Sequence, residues 1–297
     1  MYKISWYIAL FLSVRYCQAI LVQVDILKSP TNQLIYLYSD YHDFDKPDLA
    51  FDQLARFVEA LVAHEKESND KLVLLVEEIP SWCKRSPCIT SVLAPKLKER
   101  KLANTSYENI EVRKALLIAP ALFKLSAPIT ATNKNLETYT FRTVLEEIKQ
   151  HRQQWSVFGT KHERDICIID CYTQGFYDLL EQNNVTIDCS LVSAINDLHQ
   201  AGKRDVLDEF VMALSEIGAC FFDIALCNTI ETHQENKIVV VAGRGHMQKV
   251  KLKLRRDGYR TVVSGDSKNS AKAKPEPLML SLEEFKERQE QGSCIIA

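Results

Sequence analysis

Three places in the chain combine histidines and carboxylates in a way that could do chemistry. Asp40 and His42 stand together in Ser39-Asp40-Tyr41-His42. Glu77 and Glu78 follow the apolar run Lys71–Val76. His246 closes Gly243-Arg244-Gly245-His246, which follows the apolar run Lys237–Ala242. Two histidines with one or two carboxylates are a common set for a divalent metal that keeps a position open for water. His42, His246 and Glu77 or Glu78 would hold the ion, which could be manganese, cobalt or zinc. The other carboxylate, or Asp40, would serve as general base on the bound water. Side chains alternate along a strand, so at most one of Glu77 and Glu78 faces the site. The sequence does not separate them. Gly243 and Gly245 would let the backbone turn sharply or approach a ligand.

These residues meet only if the elements carrying them end at one edge. Lys237–Ala242 is β-branched and apolar on both faces, as a buried parallel strand would be. Met247, Val250 and Leu254 recur at helical spacing, Arg255 and Arg256 suit a last turn, and Gly258 suits the position beyond it. Val250, Leu252 and Leu254 also alternate, so a strand is the competing reading there; the arginines and Gly258 favour a helix. Tyr259–Ser264 reads as a strand. Earlier, Ile20–Leu27 and Gln33–Ser39 read as strands, and Asp40–Asp45 as a loop. A helix from Pro47 carries Leu54, Phe57, Val58, Leu61 and Val62 on one face, and Lys71–Val76 is a further strand. Strand, helix, strand implies a parallel pair with a right-handed crossover. In an open α/β sheet ligands bind at the carboxyl ends of such strands.

Pro80–Pro95 reads as an irregular insertion and Tyr107–Ala119 as helical, with Pro120 kinking that helix or starting the next. Thr138–His233 is almost wholly helical in pattern, with a capping box at Thr160–Glu163 and helices near Ser190–Gln200 and along Phe210–Ile224. This block looks like a lid or cap inserted into one domain. His162 reads as structural, His151, His199 and His233 as solvated helix faces, and His64 as a helix-end residue. The fold expected is α/β: a mixed or mostly parallel sheet over residues 20–266, with a large helical insertion over about 107–234. Residues 267–297 form a polar linker, a short charged helix and a tail.

The 297 residues carry a formal charge of −2, which gives no footprint for nucleic acid. Residues 1–19 have a short basic start, an apolar run from Ile4 to Val14 and a small residue at Ala19. That is the pattern of a cleaved secretory signal, too short to span a bilayer, so the mature chain is expected to be exported, periplasmic or secreted, without stable membrane insertion. Of the nine cysteines, Cys83 and Cys88 are the best candidate disulfide. Cys167 with Cys171, and Cys220 with Cys227, fall in helical patterns and read as buried thiols. Asn104 and Asn184 open glycosylation sequons. The terminal Cys294-Ile295-Ile296-Ala297 fits a prenylation pattern that conflicts with export. A nucleophile elbow, a P-loop and a dinucleotide fingerprint are all missing, which removes support for serine hydrolase, kinase and dehydrogenase readings.

The stretch VVVAGRGHMQKVKLKLRRDGYRTV resembles the last motif of the TraB/GumN family, relatives of the Tiki metalloproteases and, more distantly, of ChaN-like haem-binding proteins. Gly243-Arg244-Gly245-His246 matches the late Gly-x-x-His turn of that family, and Gly258-Tyr259 its approach to the next strand. Ser39-Asp40-Tyr41-His42 takes the place of the early Gly-x-x-His turn, with serine for glycine. Glu77-Glu78 resembles the glutamates after the following strand, and Arg113 or Arg142 falls where a family arginine is expected. The resemblance spans most of Gln33 to Ser264. It implies an α/β core with a helical insertion and, for the Tiki branch, metal-dependent hydrolysis of peptides. The alternative is a non-catalytic exported protein that binds haem or another small ligand in the same strand-end cleft.

Overall fold

Leu72–Val76 reads LVLLV and is buried at every position, which only a strand covered on both faces can be. It is one of three parallel strands at the centre of a six-stranded mixed sheet in the computed structural model. The structure describes residues 18–43, 47–67, 69–78, 93, 97, 99–100, 102–123, 138–155 and 161–264. The signal-peptide core, Cys83 and Cys88, Ser126–Asn135 and the tail from Gly265 onward lie outside them. The chain divides into two units, one reaching to Ile110 and resuming at Ile230, the other Glu111–Thr229.

The first unit holds the sheet. Its elements are β1 (Gln18–Lys28), β2 (Leu34–Asp43), α1 (Pro47–Glu67), β3 (Leu72–Val76), β4 (Thr105–Asn109), β5 (Lys237–Gly243), α7 (Arg244–Arg256) and β6 (Arg260–Ser264). The strand order is β4-β3-β5-β2-β1-β6. β2, β5, β3 and β4 run parallel, while β1 pairs antiparallel with β2 on one side and β6 on the other. Alternation sorts the side chains. Tyr36, Tyr38, Leu72, Leu74, Val76, Val239 and Val241 pack in one cluster with Phe57, Val58 and Leu61 of α1. Within it Phe57 meets Tyr38 edge to face at 5.5 Å between ring centroids.

The two crossovers leave in opposite directions. From β2 the chain passes through α1 to β3, on the β4 side of β5. From β5 it passes through α7 to β6, beyond β1. Right-handed crossovers that diverge in this way lie on opposite faces of the sheet, and they open a crevice between the carboxyl ends of β2 and β5. That topology places Asp40 level with Gly243 and Ser39 level with Ala242.

The second unit is helical: α2 (Ala115–Phe123), α3 (Phe141–Trp155), α4 (Glu163–Gln182), α5 (Leu191–Gln200) and most of α6 (Arg204–Thr232). Its centre is aromatic. Phe141 lies 6.1 Å from Phe123, 5.8 Å from Phe176 and 5.7 Å from Phe210. Glu147 of α3 caps α2, accepting from the amides of Lys114, Ala115 and Leu116. α6 is long and apolar enough to cross a membrane, yet 67% of its most apolar window is buried within the protein, as in a core helix.

Several local expectations fail for identifiable reasons. Thr105–Asn109 is strand, not the start of a helix. Thr and Tyr favour an extended, half-buried surface, and β3 offers a partner there. The helix begins later, at Ala115, and Pro120 sits inside it. The strand β2 continues through the expected loop as far as Asp43, because β1 pairs with it residue for residue there. The expected turn at Gly243–His246 is absent, since α7 starts at Arg244 directly from β5. The N-cap of α4 is His162, with no side-chain cap, and Thr160, where a capping box was expected to start, lies outside the described residues. His162 is instead buried, with Nε2 3.2 Å from Asn228 Oδ1. His151 is not a solvated residue: it stacks on Trp155 and packs against Phe221. Nor is His233, whose ring nitrogens lie 2.9 Å from Glu235 and 3.0 Å from Glu108. His64 does lie in the last turn of α1, as expected, and is buried there. Cys220 and Cys227 are buried thiols as expected, but Cys167 and Cys171 are exposed.

The His233 cluster makes a pH prediction. Burial by itself raises the Glu235 carboxyl, but the backbone amides of Glu235 and Gln234 and the His233 ring outweigh it, so the group sits below its ordinary value. A folded pKa below the unfolded one stabilises above the ordinary glutamate value of about 4.3, and that contribution disappears as pH falls through the depressed value. Urea midpoints measured from pH 6 down to pH 3 should therefore fall more steeply for the wild type than for Glu235→Gln. Parallel curves would show that this carboxylate contributes nothing to acid lability.

Candidate active site

β3 ends at Val76, and the backbone stays in register for one more step, with Glu77 N donating to Val241 O at 3.0 Å. This holds Glu77 at the level of Ala242, beside the start of α7. Its Oε2 accepts from Gly243 N at 2.8 Å. Gly243 is the N-cap of α7, a position at which the helix leaves amides without internal partners. The first turn of α7 contains no acidic residue of its own. Glu77, which is buried, therefore supplies from a neighbouring strand the negative charge that a helix N-terminus favours.

The other oxygen faces a histidine. Glu77 Oε1 lies 3.9 Å from His246 Nε2, and the two side chains are 8% and 16% exposed. That separation is too long for a hydrogen bond, and it suits one small atom touching both. A water roughly 2.8 Å from each group would fit between them. Two protein ligands on one zinc-like ion, each at about 2.1 Å, stand roughly 3.0–3.5 Å apart, so a small side-chain shift would also let both reach a single cation.

Glu78 goes elsewhere. Its carboxylate accepts the hydroxyl of Tyr107 on β4, and its amide donates to Asn109 Oδ1 at 3.2 Å. Burial, then the bonded Glu78 carboxylate, push the Tyr107 hydroxyl far above its ordinary value, so it is a proton donor at neutral pH. The structure thus separates what the sequence left joined: Glu77 meets His246, and Glu78, offered as a metal ligand, is bound to Tyr107. Tyr107 was missed because its segment read as helix. The β-favouring Thr-Ser-Tyr at 105–107 was the available signal.

At the crevice between β2 and β5, Asp40 is buried, and the Ser39 hydroxyl beside Ala242 is buried without a hydrogen-bond partner among the described residues. A buried hydroxyl in that state marks a place for a water or a ligand atom. His42 lies two residues further along β2, opposite Ala19 of β1. For His42 the description is of the backbone alone. Among the described residues no group of three or more histidine, cysteine or acidic side chains converges as a metal site would. Glu77 and His246 are thus the two sequence-offered ligands that the structure brings together.

The glycines matter less than expected. Gly243 has φ −55° and ψ 140°, open to any residue. A Cβ there would make ordinary contacts of 3.5 Å with Glu77 and 3.6 Å with His246, and a Cβ at Gly245 would meet nothing within 4 Å. Among the arginines, Arg113 belongs to the helical unit. Its guanidinium pairs with Glu111 at 2.6 Å and lies 4.7 Å over the Phe222 ring. Arg142 pairs with Asp188 at the surface of the same unit.

Glu77→Ala should destabilise the fold by about 1.5–3 kcal/mol, since it removes a charged acceptor from a buried amide. Glu77→Gln keeps an acceptor and should cost less, and His246→Ala, which leaves the bond from Gly243 to Glu77 in place, less again. Urea denaturation of the three variants checks the order. A His246→Ala loss as large as that of Glu77→Ala would mean that the histidine is structural.

Compared with known proteins, the chain matches no family model and no curated sequence.

Proposed function

We propose that the first unit is a hydrolase of TraB/GumN–Tiki type, metal-dependent and acting on peptides, with its reacting centre at Glu77 and His246. The observation that carries this reading is the 3.9 Å gap between Glu77 Oε1 and His246 Nε2 at the carboxyl ends of neighbouring parallel strands. A water held between them would be oriented by both groups. The Glu77 carboxyl is fixed by a backbone amide, so as a general base it would take a proton without moving. His246 can hold the water through Nε2 and pass a proton onward to a leaving amine. Asp40, level with Gly243, alternates to the opposite face of the sheet from Glu77 and Ser39 and has no part in this arrangement. With a divalent ion bound, Glu77, His246 and His42 would instead serve as its ligands, and the ion would polarise the peptide carbonyl and acidify the water.

Export is part of the proposal, and it would remove the first two residues of β1, Gln18 and Ala19, from their pairing with Asp43 and His42. Cleavage after Ala19 would leave β1 paired with β2 from Ile20 opposite Tyr41 to Lys28 opposite Leu34. A second reading, a non-catalytic haem- or small-ligand-binding protein, is supported by the buried Ser39 hydroxyl beside Ala242, which has no hydrogen-bond partner among the described residues.

Elemental analysis of residues 20–297 after incubation with manganese, cobalt or zinc should find one ion per chain. His246→Ala and Glu77→Gln should each lose it, together with any metal-dependent cleavage of a quenched peptide library. Stoichiometric metal retained by folded His246→Ala sinks the assignment. A metal-free wild type that develops a haem absorbance band with haemin hands the site to the second reading.

A further inference from the structure

Thiols in proteins are among the most buried side chains, and Cys220 and Cys227 behave accordingly. Cys167 and Cys171 do not. Both are exposed, and both lie in α4, Glu163–Gln182, four residues apart. Residues at that spacing share one face of a helix, with Cβ atoms roughly 5–6 Å apart. A disulfide needs a Cβ separation of about 3.5–4.5 Å, so a regular helix holds this pair too far apart to close on itself. The same spacing suits a bridging atom. Two thiolates on opposite sides of one ion stand roughly 4.6 Å apart, twice a metal–sulfur bond of about 2.3 Å. Two rotating Cβ–Sγ arms on one helix face can meet that span. Around a tetrahedral ion the sulfurs must approach to roughly 3.8 Å, and two further ligands are required.

We infer that Cys167 and Cys171 form a bidentate site for a soft, two-coordinate cation, of which monovalent copper is the type. Thiolates select such ions over hard ones. The surroundings are compatible. Glu163 and Asp165 give the first turn of α4 an acidic character, and the nearby Asp170 is already paired with Arg152 at 2.6 Å. The site belongs to the helical unit and is independent of Glu77 and His246, so it stands or falls apart from the hydrolase reading.

The test is anaerobic titration of the reduced chain with monovalent copper against a chromogenic copper(I) chelator, with circular dichroism as a check on folding. Other cysteines can contribute to total binding, so the readout is the difference from wild type. Cys167→Ser and Cys171→Ser should each lose one tightly held ion per chain, and the double variant should lose no more than either alone. A geometric control keeps two exposed thiols but separates them: Cys171→Ser/Gln174→Cys puts them seven residues apart, and Gln174 is exposed. It should bind as weakly as Cys171→Ser. Unchanged stoichiometry in the single variants overturns the proposal. So does loss in two independent halves, or full binding by the displaced pair.

Discussion

The bond from the Gly243 amide to the Glu77 carboxylate is the constraint on which the site depends. It ties the end of β3 to the point where β5 becomes α7. A strand that passes into a helix without a loop leaves an amide facing the sheet edge, with no strand partner left to take it. A carboxylate from the neighbouring strand fills that need. In doing so it fixes one oxygen and leaves the other directed toward His246, the third residue of α7. The feature that caps the helix is therefore also the feature that aims Glu77 at His246, the pair proposed to do the chemistry. Removing its charge changes stability and chemistry together, which is why stability and metal content must be measured on the same variants.

The topology supplies the rest. The crossover from β2 spans β5 and the one from β5 spans β2 and β1, so right-handed connections put α1 and α7 on opposite faces and the connections part at the carboxyl ends of β2 and β5. Asp40, Ser39 and Gly243 occupy that crevice because the parallel register brings them level. A slip of one residue would move Glu77 and Ser39 to the other face and return Glu78 and Asp40 in their place. Burial of Leu72–Val76 on both sides gives no preference between those registers by hydrophobicity alone. The polar bonds at the strand ends, Glu77 to Gly243 and Glu78 to Tyr107, distinguish them.

Much of this was legible in the sequence, and the limits have physical causes. The apolar runs at Lys71–Val76 and Lys237–Ala242 announced parallel strands, and the helical spacing of Met247, Val250 and Leu254 announced α7. His246 and the two glutamates stood out because separate strand ends all carried groups suited to binding a metal or a proton. The choice between Glu77 and Glu78 was not readable, since it depends on where a partner amide and a partner hydroxyl lie in three dimensions. Tyr107 was hidden because an edge strand beside one neighbour has too few apolar residues to announce itself. The glycines around His246 invited a turn that the backbone does not make: Gly243 is extended, and helix follows at once.

The histidines show the same limit from the other side. His151, His162 and His233 read as surface or capping residues because their sequence neighbours are polar, yet each is held by groups distant in sequence: Phe221, Asn228 and Glu108. Local polarity reports which face a residue would take on an isolated helix. It does not report which faces another helix or strand covers. Cys167 and Cys171 err in the opposite direction, since thiols on a helix that also buries Ile169, Phe176 and Leu180 were expected to join that core. The four-residue spacing that puts both on one face also carries both away from it. A pair of thiols left in solvent on a regular helix lacks the packing role that ordinarily explains cysteine, and chelation is the chemistry its spacing supports.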